Sequence, residues 1–381
     1  MDVSSAAGPT DLPERRTSVR AWDLPTRLFH WLLVAAVAVS AVTGFLAPER
    51  WLSWHSASGY AIVLLIAFRL VWGFFGSELS RFADFRRTLR RLADHLRGLL
   101  RLRPPHSLGH NPLGVLMIIA LAATLLALAA TGLLVLGGTE KQGPLAGLVD
   151  FAVGDGVRWL HETLAWLLLA LIAGHLLGII GESLLTRENL AWAMVTGRKW
   201  LPAGSPIASL LPARSLPAAL LTAAIGATLA TSFVTLGQLP PLGLRALAAN
   251  AEYEEECGAC HYAYHPSLLP AASWRVIMTG LDDHFGDDAS LDAATAAGLG
   301  DWLAANAAET WDTKAANRLR PADAVEPRRV TATAYWRNRH AELGESVFAR
   351  RGIKSKINCV ACHGDAASGR FDDQAIAIPE E

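Results

Sequence analysis

The chain has 381 residues, a formal net charge of −1, 52% hydrophobic residues and only 18% charged ones. Its mean hydropathy is +0.27. That composition carries no nucleic-acid footprint and points to a membrane protein with a soluble part. All four cysteines fall in two motifs, Cys257-Gly-Ala-Cys260-His261 and Cys359-Val-Ala-Cys362-His363, which leaves none for a disulfide framework.

Residues 1–27 are polar, with Arg15, Arg16, Arg20 and Arg27 ahead of the first apolar run. They read as a disordered cytoplasmic tail without a cleavable signal peptide, and the first span then acts as an uncleaved anchor. Apolar spans are expected at about 28–46, 53–76, 113–136, 157–180 and 215–238. The loop 77–109 holds eight arginines against three acids, and the helical spacing over 82–103 predicts an amphipathic surface helix. Its histidines, His95, His106 and His110, read as solvated, with His110, next to span three, a lesser candidate for a quinone contact. A Gly-rich acidic loop, 137–156, leads into the fourth span. Residues 181–214 are basic, and the fifth span is Ala/Leu-rich without charge or histidine. Residues 245–381 hold 21 acids against 14 bases and read as polar and modestly helical. The expected layout is a tail (1–27), a four-helix membrane domain (28–200), a linker with a fifth transmembrane helix (201–248) and a soluble domain (249–381). The fold class is mainly α.

Charge sets the expected topology. The tail, the 77–109 loop and the 181–214 segment are basic and fall on one side, while the loops near 47–52 and 137–156 are neutral or acidic. The positive-inside rule places the N-terminus in the cytoplasm and everything after the fifth span in the periplasm. Within the fourth span His161 and His175 are fourteen residues apart, about 21 Å of rise and about 40° short of four full turns. Both imidazoles therefore share one face at opposite depths. Histidine within a span is costly and defaults to function. His30 opens span one on the inner side, and His55 opens span two on the outer side. Depth then pairs His30 with His175 and His55 with His161. Each pair could supply both axial nitrogens of a b-type haem held in a helix bundle. No carboxylate or thiolate completes a catalytic metal shell beside either pair; Glu162 reads as a solvated interface residue. Arg69, on the inner half of span two, reads either as a snorkelling side chain or as counter-ion to a haem propionate or an anionic quinone intermediate.

The Cys-x-x-Cys-His pattern is the attachment signature of c-type haem, with two thioethers and one axial nitrogen. Zinc held by Cys257, Cys260, Cys359 and Cys362 is the alternative, but it leaves both motif histidines unexplained. His261 and His363 supply the first axial ligands. His265, His284, His340 and Met278 are the candidates for the second; bis-histidine ligation is favoured, and Met278 reads as a core residue beside Trp274 and Ile277.

Residues 21–200 resemble the prokaryotic cytochrome b-561 and nickel-hydrogenase cytochrome b family. The matching pieces are PTRLFHW at 25–31, WHSASGYAIVLLIAFRLVWGFFG at 54–76, GHNPLGVLM at 109–117, His161 and His175, and RENLAWAMVTGRK at 187–199. The resemblance implies a four-helix bundle with two haems b, ligated by His30, His55, His161 and His175, that exchanges electrons with the quinone pool. Residues 250–381 resemble the dihaem cytochrome c family through ECGACH, LLPAASWRVIMTGLDDHFGDDASLD and NCVACHGD. That resemblance implies bis-histidine ligation and carries the distal roles onto His284 and His340. His265 departs from the family pattern. The combined expectation is a multi-pass bacterial inner-membrane protein that passes electrons between the quinone pool and a periplasmic acceptor, such as a soluble cytochrome, through two haems b and two haems c. The acidic soluble part favours a basic acceptor. The alternative is a haem-bearing anchor subunit that relays electrons for a separate dehydrogenase or reductase. The residues do not separate a quinol:acceptor oxidoreductase from a pure electron carrier.

Overall fold

A computed structural model describes residues 16–105, 107–202 and 211–380. His106, residues 1–15 of the expected tail and part of the 201–248 linker lie outside these described residues. Among the described residues five helices are long and apolar enough to cross a membrane: α1 (Leu24–Phe45), α2 (Leu52–Phe75), α5 (Pro112–Thr139), α6 (Phe151–Thr186) and α8 (Ser215–Gly237). The protein is a multi-pass membrane protein, and mainly helical. Large apolar side chains such as Leu32, Leu64, Trp166, Leu177 and Leu220 stay exposed along these helices. In water such a surface would be a liability; in lipid it is the favoured solvent. Between α2 and α5 run α3 (Phe82–Leu89) and α4 (Leu92–Leu100), and α7 (Leu190–Thr196) follows α6.

The chain divides into two compact units, residues 1–39, 58–129 and 163–228 forming the first and residues 40–57, 130–162 and 229–381 the second. In the first, Ile62 and Ile66 of α2 pack with Leu125 of α5 and Leu168 of α6 against Leu33 and Val37 of α1. Asp23 caps the start of α1 by accepting from the Thr26 amide at 2.8 Å. It also accepts from Trp72 Nε1 at 3.0 Å. Gly73 lets α3 press on α2, because a Cβ there would sit 2.2 Å from the Phe82 ring. The expected single surface helix is instead the pair α3 and α4. The break falls at Arg90 and Arg91, both exposed, so no packing holds the helix straight there. Phe85 on one side and His95 on the other are both buried; ten residues along one helix would set them about 80° apart, and the break re-aims them. His95 is thus a correction to the solvated reading: it is fully buried, with Nε2 3.9 Å from Glu182. A second difference is a two-stranded antiparallel ribbon, β1 (Arg16–Arg20) with β2 (Arg198–Pro202), in register Ser18 to Trp200. Part of the expected disordered tail is therefore paired. Gly197, at φ 78°, ends α7 in the left-handed conformation that turns the chain into β2.

In the second unit α5 and α6 meet at Gly138 and Gly154, where a Cβ on either would approach the other's Cα within 2.8 Å. Small residues permit this backbone contact. The C-terminal part adds α9 (Ala251–Cys257), α10 (Ala271–Thr279), α11 (Ala293–Ala305), α12 (Lys314–Leu319) and α13 (Ala334–Arg339). Its core is Tyr253, Leu269, Trp274, Ile277, Leu299 and Leu303. The same unit holds an ion-pair chain. Lys314 bonds both Glu140 and Asp373 at 2.6 Å, Arg339 bonds Asp373 at 2.9 Å and Glu49 at 2.7 Å, and Lys141 bonds Asp312 at 2.5 Å.

Candidate functional site

Three pairs of histidine rings face each other in the second unit: His55 with His161, His261 with His284, and His340 with His363. Each pair has its centroids 6.2 Å apart. An imidazole nitrogen binds a metal at about 2.0 Å, with the ring centre about 1.1 Å behind it. Two rings on opposite sides of one iron therefore stand about 6.2 Å apart, centre to centre. The spacing fits a bis-imidazole haem in all three places. In the first unit His30 and His175 are electrostatic neighbours, and His30 Nδ1 is buried without a hydrogen-bond partner.

The membrane pair is seated twice by the same device. His55 Nδ1 donates to the Ser40 carbonyl at 3.1 Å, with the Thr43 hydroxyl at 3.2 Å. His161 Nδ1 lies 3.0 Å from the Thr131 hydroxyl. A Cβ on Gly44 or on Gly132 would come within 3.1 Å of the facing Cε1. So a Thr-Gly step on α1 receives His55, and a Thr-Gly step on α5 receives His161. Fixing Nδ1 orients the ring and commits Nε2 to the metal side. These threonines and glycines escaped the reading of the sequence; the repeated dipeptide was the available signal. Gly132→Val is expected to displace His161 and lower the b-haem content to about half, with covalent haem unchanged, in a pyridine haemochromogen assay. An unchanged b content would show that the Gly132 seat does not position the ring.

The two C-terminal pairs are built differently. Asn250 caps α9 by accepting from the Tyr253 amide at 3.1 Å, and α9 delivers Cys257. His261 Nδ1 then donates to the Tyr262 carbonyl at 2.9 Å. His284 sits on a tight turn closed by its amide bonding the Asp287 carbonyl at 2.8 Å, with Phe285 and Gly286 both at positive φ. His340 ends α13, donates to the Trp336 carbonyl at 2.9 Å and stacks on the Trp336 ring at 4.3 Å. Burial lowers His363 first, and the facing His340 lowers it further; burial and then His261 lower His284 in the same sense. Neutral imidazole is the form a metal needs. Among the described residues no three His, Cys, Asp or Glu side chains converge as a metal shell.

Residues 253–371 match the family model of dihaem cytochrome c, and residues 21–197 match that of prokaryotic cytochrome b561. The chain joins a cytochrome b561 domain to a dihaem cytochrome c domain. Its curated relatives include a probable Ni/Fe-hydrogenase B-type cytochrome subunit of Azotobacter vinelandii, 26% identical over 216 residues, which cover 48% of this chain and 89% of that one. Among solved structures, the dihaem cytochrome c of Shewanella baltica OS155 is 34% identical, over 34% of this chain and 94% of that one, with a TM-score of 0.28. A dihaem cytochrome c of Rhodobacter sphaeroides is 36% identical, over 33% of this chain and all of that one, with a TM-score of 0.29. The two domains mark the protein as a haem-containing membrane electron-transfer protein.

In the cytochrome b561 domain Arg69 is half-buried beside α3. Its guanidinium lies 5.4 Å from the Phe82 ring and 5.7 Å from the Phe85 ring, and Nη1 is buried without a partner. His110, read as solvated, packs 4.5 Å from Trp22 and 5.2 Å from Phe85. Burial, then Arg69 and Lys199, hold His110 at about 3, so it is neutral at ordinary pH. Glu162 is exposed.

In the dihaem cytochrome c domain Met278 packs against the Trp274 and Ile277 core. His265 faces no histidine among the described ring contacts. It is 3% exposed, edge-on to Trp311 at 4.6 Å, with Nδ1 2.8 Å from the Ser267 hydroxyl. Burial and then Arg245 lower it to about 4. A histidine depressed on folding contributes stability that is complete above its unfolded value and is lost as pH falls toward the folded one. The loss expected between pH 6.5 and 4 is about 3 kcal/mol at about 1.4 kcal/mol per unit. A His265→Gln variant should show a shallower fall in thermal midpoint over that range; an unchanged slope would refute the assignment.

Proposed function

We propose that this chain carries electrons between the membrane quinone pool and a periplasmic acceptor protein, using two haems b and two haems c. The carrying observation is the common 6.2 Å spacing of three histidine pairs, two of which contain the histidine of a Cys-x-x-Cys-His motif. A haem iron held by two imidazoles supplies one-electron exchange without an open coordination position. The chain's own residues do the rest. His30 with His175, and His55 with His161, would hold the haems b; Cys257, Cys260 and His261 with His284, and Cys359, Cys362 and His363 with His340, would hold the haems c. Ser40, Thr131, Tyr262 and Trp336 orient four of these rings. Arg69 would supply positive charge to a propionate or a reduced quinone. The domain layout follows: membrane domain over about 28–200, fifth helix within 201–248, and soluble domain over 249–381. The basic loops support a cytoplasmic N-terminus in the bacterial inner membrane and a periplasmic C-terminal domain.

A pyridine haemochromogen assay with haem-stained denaturing gels tests the cofactor set, and quinol-driven reduction of the purified chain tests the substrate. Two b and two c haems with rapid quinol reduction are expected. Loss of all covalent haem would refute the soluble sites, and no reduction by quinol would refute the quinone link. The hydrogenase B-type cytochrome relatives favour one second reading, a membrane anchor that relays electrons for another subunit. Stoichiometric co-purification of a dehydrogenase or reductase subunit, together with quinol inactivity of the isolated chain, would select it.

A further inference from the structure

Tyr262 touches both soluble sites and is used by neither set of ligands. Its carbonyl accepts from His261 Nδ1 at 2.9 Å, which orients the axial ligand of the first site. Its side chain runs the other way. The ring packs 4.5 Å from the Tyr264 ring, which lies 5.0 Å from His261. Tyr264 Oη donates to the Ile357 carbonyl at 2.6 Å, two residues before Cys359. The strap 261–264 thus bridges one attachment motif to the other. The Tyr262 hydroxyl ends beside the Cys359 sulfur, yet Oη is buried and no acceptor meets hydrogen-bond geometry. A buried, unpaired hydroxyl is costly. Cys359, beside it, belongs to the second Cys-x-x-Cys-His motif.

We propose that Tyr262 is a positioning residue shared by the two sites, its carbonyl orienting His261 and its hydroxyl donating to an acceptor on the haem attached at Cys359 and Cys362. The inference rests on the dihaem reading of the soluble domain. The acceptor is a propionate oxygen or the thioether sulfur. Either way, the donated hydrogen bond withdraws electron density from the haem and favours its reduced form. Removing the hydroxyl then favours the oxidised form. At the net strength of one hydrogen bond, the reduction equilibrium of that haem changes about two- to tenfold, which is about 20–60 mV at 59 mV per tenfold for one electron.

The test is a spectroelectrochemical titration of the full-length Tyr262→Phe protein, with Tyr264→Phe as control. The two c haems are told apart by EPR, because their axial rings lie at 28° in the His261–His284 pair and 65° in the His340–His363 pair. Ring orientation sets the splitting of the iron orbitals. In Tyr262→Phe the potential of the His340–His363 haem should fall while the His261–His284 haem holds its value, since the carbonyl is kept. Tyr264→Phe, whose hydroxyl already has a protein acceptor, should move neither. A shift in both haems, in neither, or equally in the two variants would overturn the proposal. Haem-stained gels separate the failures: covalent haem absent from the wild type sinks the dihaem reading, whereas two attached haems with unmoved potentials sink only the role of Tyr262.

Discussion

Replacing His161 with leucine is expected to remove one of two haems b and to leave the other, together with both covalent haems. The ring of His161 faces His55 at 6.2 Å, and an iron between them would lose half of its axial set. His55, still tethered to Ser40 and Thr43, cannot alone give the six-coordinate low-spin state. His175 lies fourteen residues further along α6, and a leucine at 161 keeps α6 apolar and inserted. The haemochromogen ratio of b to c should drop from 2:2 to 1:2, and the surviving b haem should come from the His30–His175 pair. His175→Leu should give the same ratio with a different b-type spectrum, and the double variant should contain none. Retention of two haems b in His161→Leu would mean that the ring pair has another purpose.

Chemistry with fixed spacing was the most legible part of the sequence. Two Cys-x-x-Cys-His motifs and a helix with histidines fourteen residues apart can be read without a structure, because covalent attachment and helical rise are local rules. The five spans could be read for the same reason, although α6 runs from Phe151 to Thr186, well beyond the expected 157–180. What escaped depends on partners far away in the chain. Arg339 and Glu49 are 290 residues apart, and Lys314 and Glu140 174 apart. No pattern within either segment announces the other. Ser18 finds Trp200 across the ribbon for similarly remote reasons. His95 was misread because its arginine-rich surroundings argue for solvent, whereas burial is decided by the break between α3 and α4. The Thr-Gly seats lie between these extremes: the dipeptides at 43–44 and 131–132 are visible, but their meaning depends on which helix faces which.

Lys314→Met should destabilise the C-terminal part of the protein by about 3 kcal/mol, the low end of the cost of breaking a buried ion pair. The Lys314 side chain is 12% exposed, and its two carboxylate partners, Glu140 and Asp373, are 10% exposed each. Methionine fills the space but leaves two carboxylates near each other without the cation between them. Arg339 still reaches Asp373, and Arg158 stands 3.7 Å from Glu140, which is why the low end applies. Neutralising the carboxylates as well, in Lys314→Met with Glu140→Gln and Asp373→Asn, should restore most of the loss, because removing all the charges also removes their desolvation cost. Burial alone would lower the Lys314 ammonium, but Glu140 and then Asp373 raise it above its ordinary value overall. A cation raised on folding contributes fully below its unfolded value, near 10.4, and is lost as pH climbs through the folded one. The wild-type advantage over Lys314→Met should therefore be constant from pH 7 to 9 and shrink only at strongly alkaline pH. Thermal unfolding followed by near-ultraviolet circular dichroism reads both effects. A single variant as stable as wild type would show that the cluster is screened by water, and a triple variant no better than the single would show that Lys314 acts through packing rather than charge.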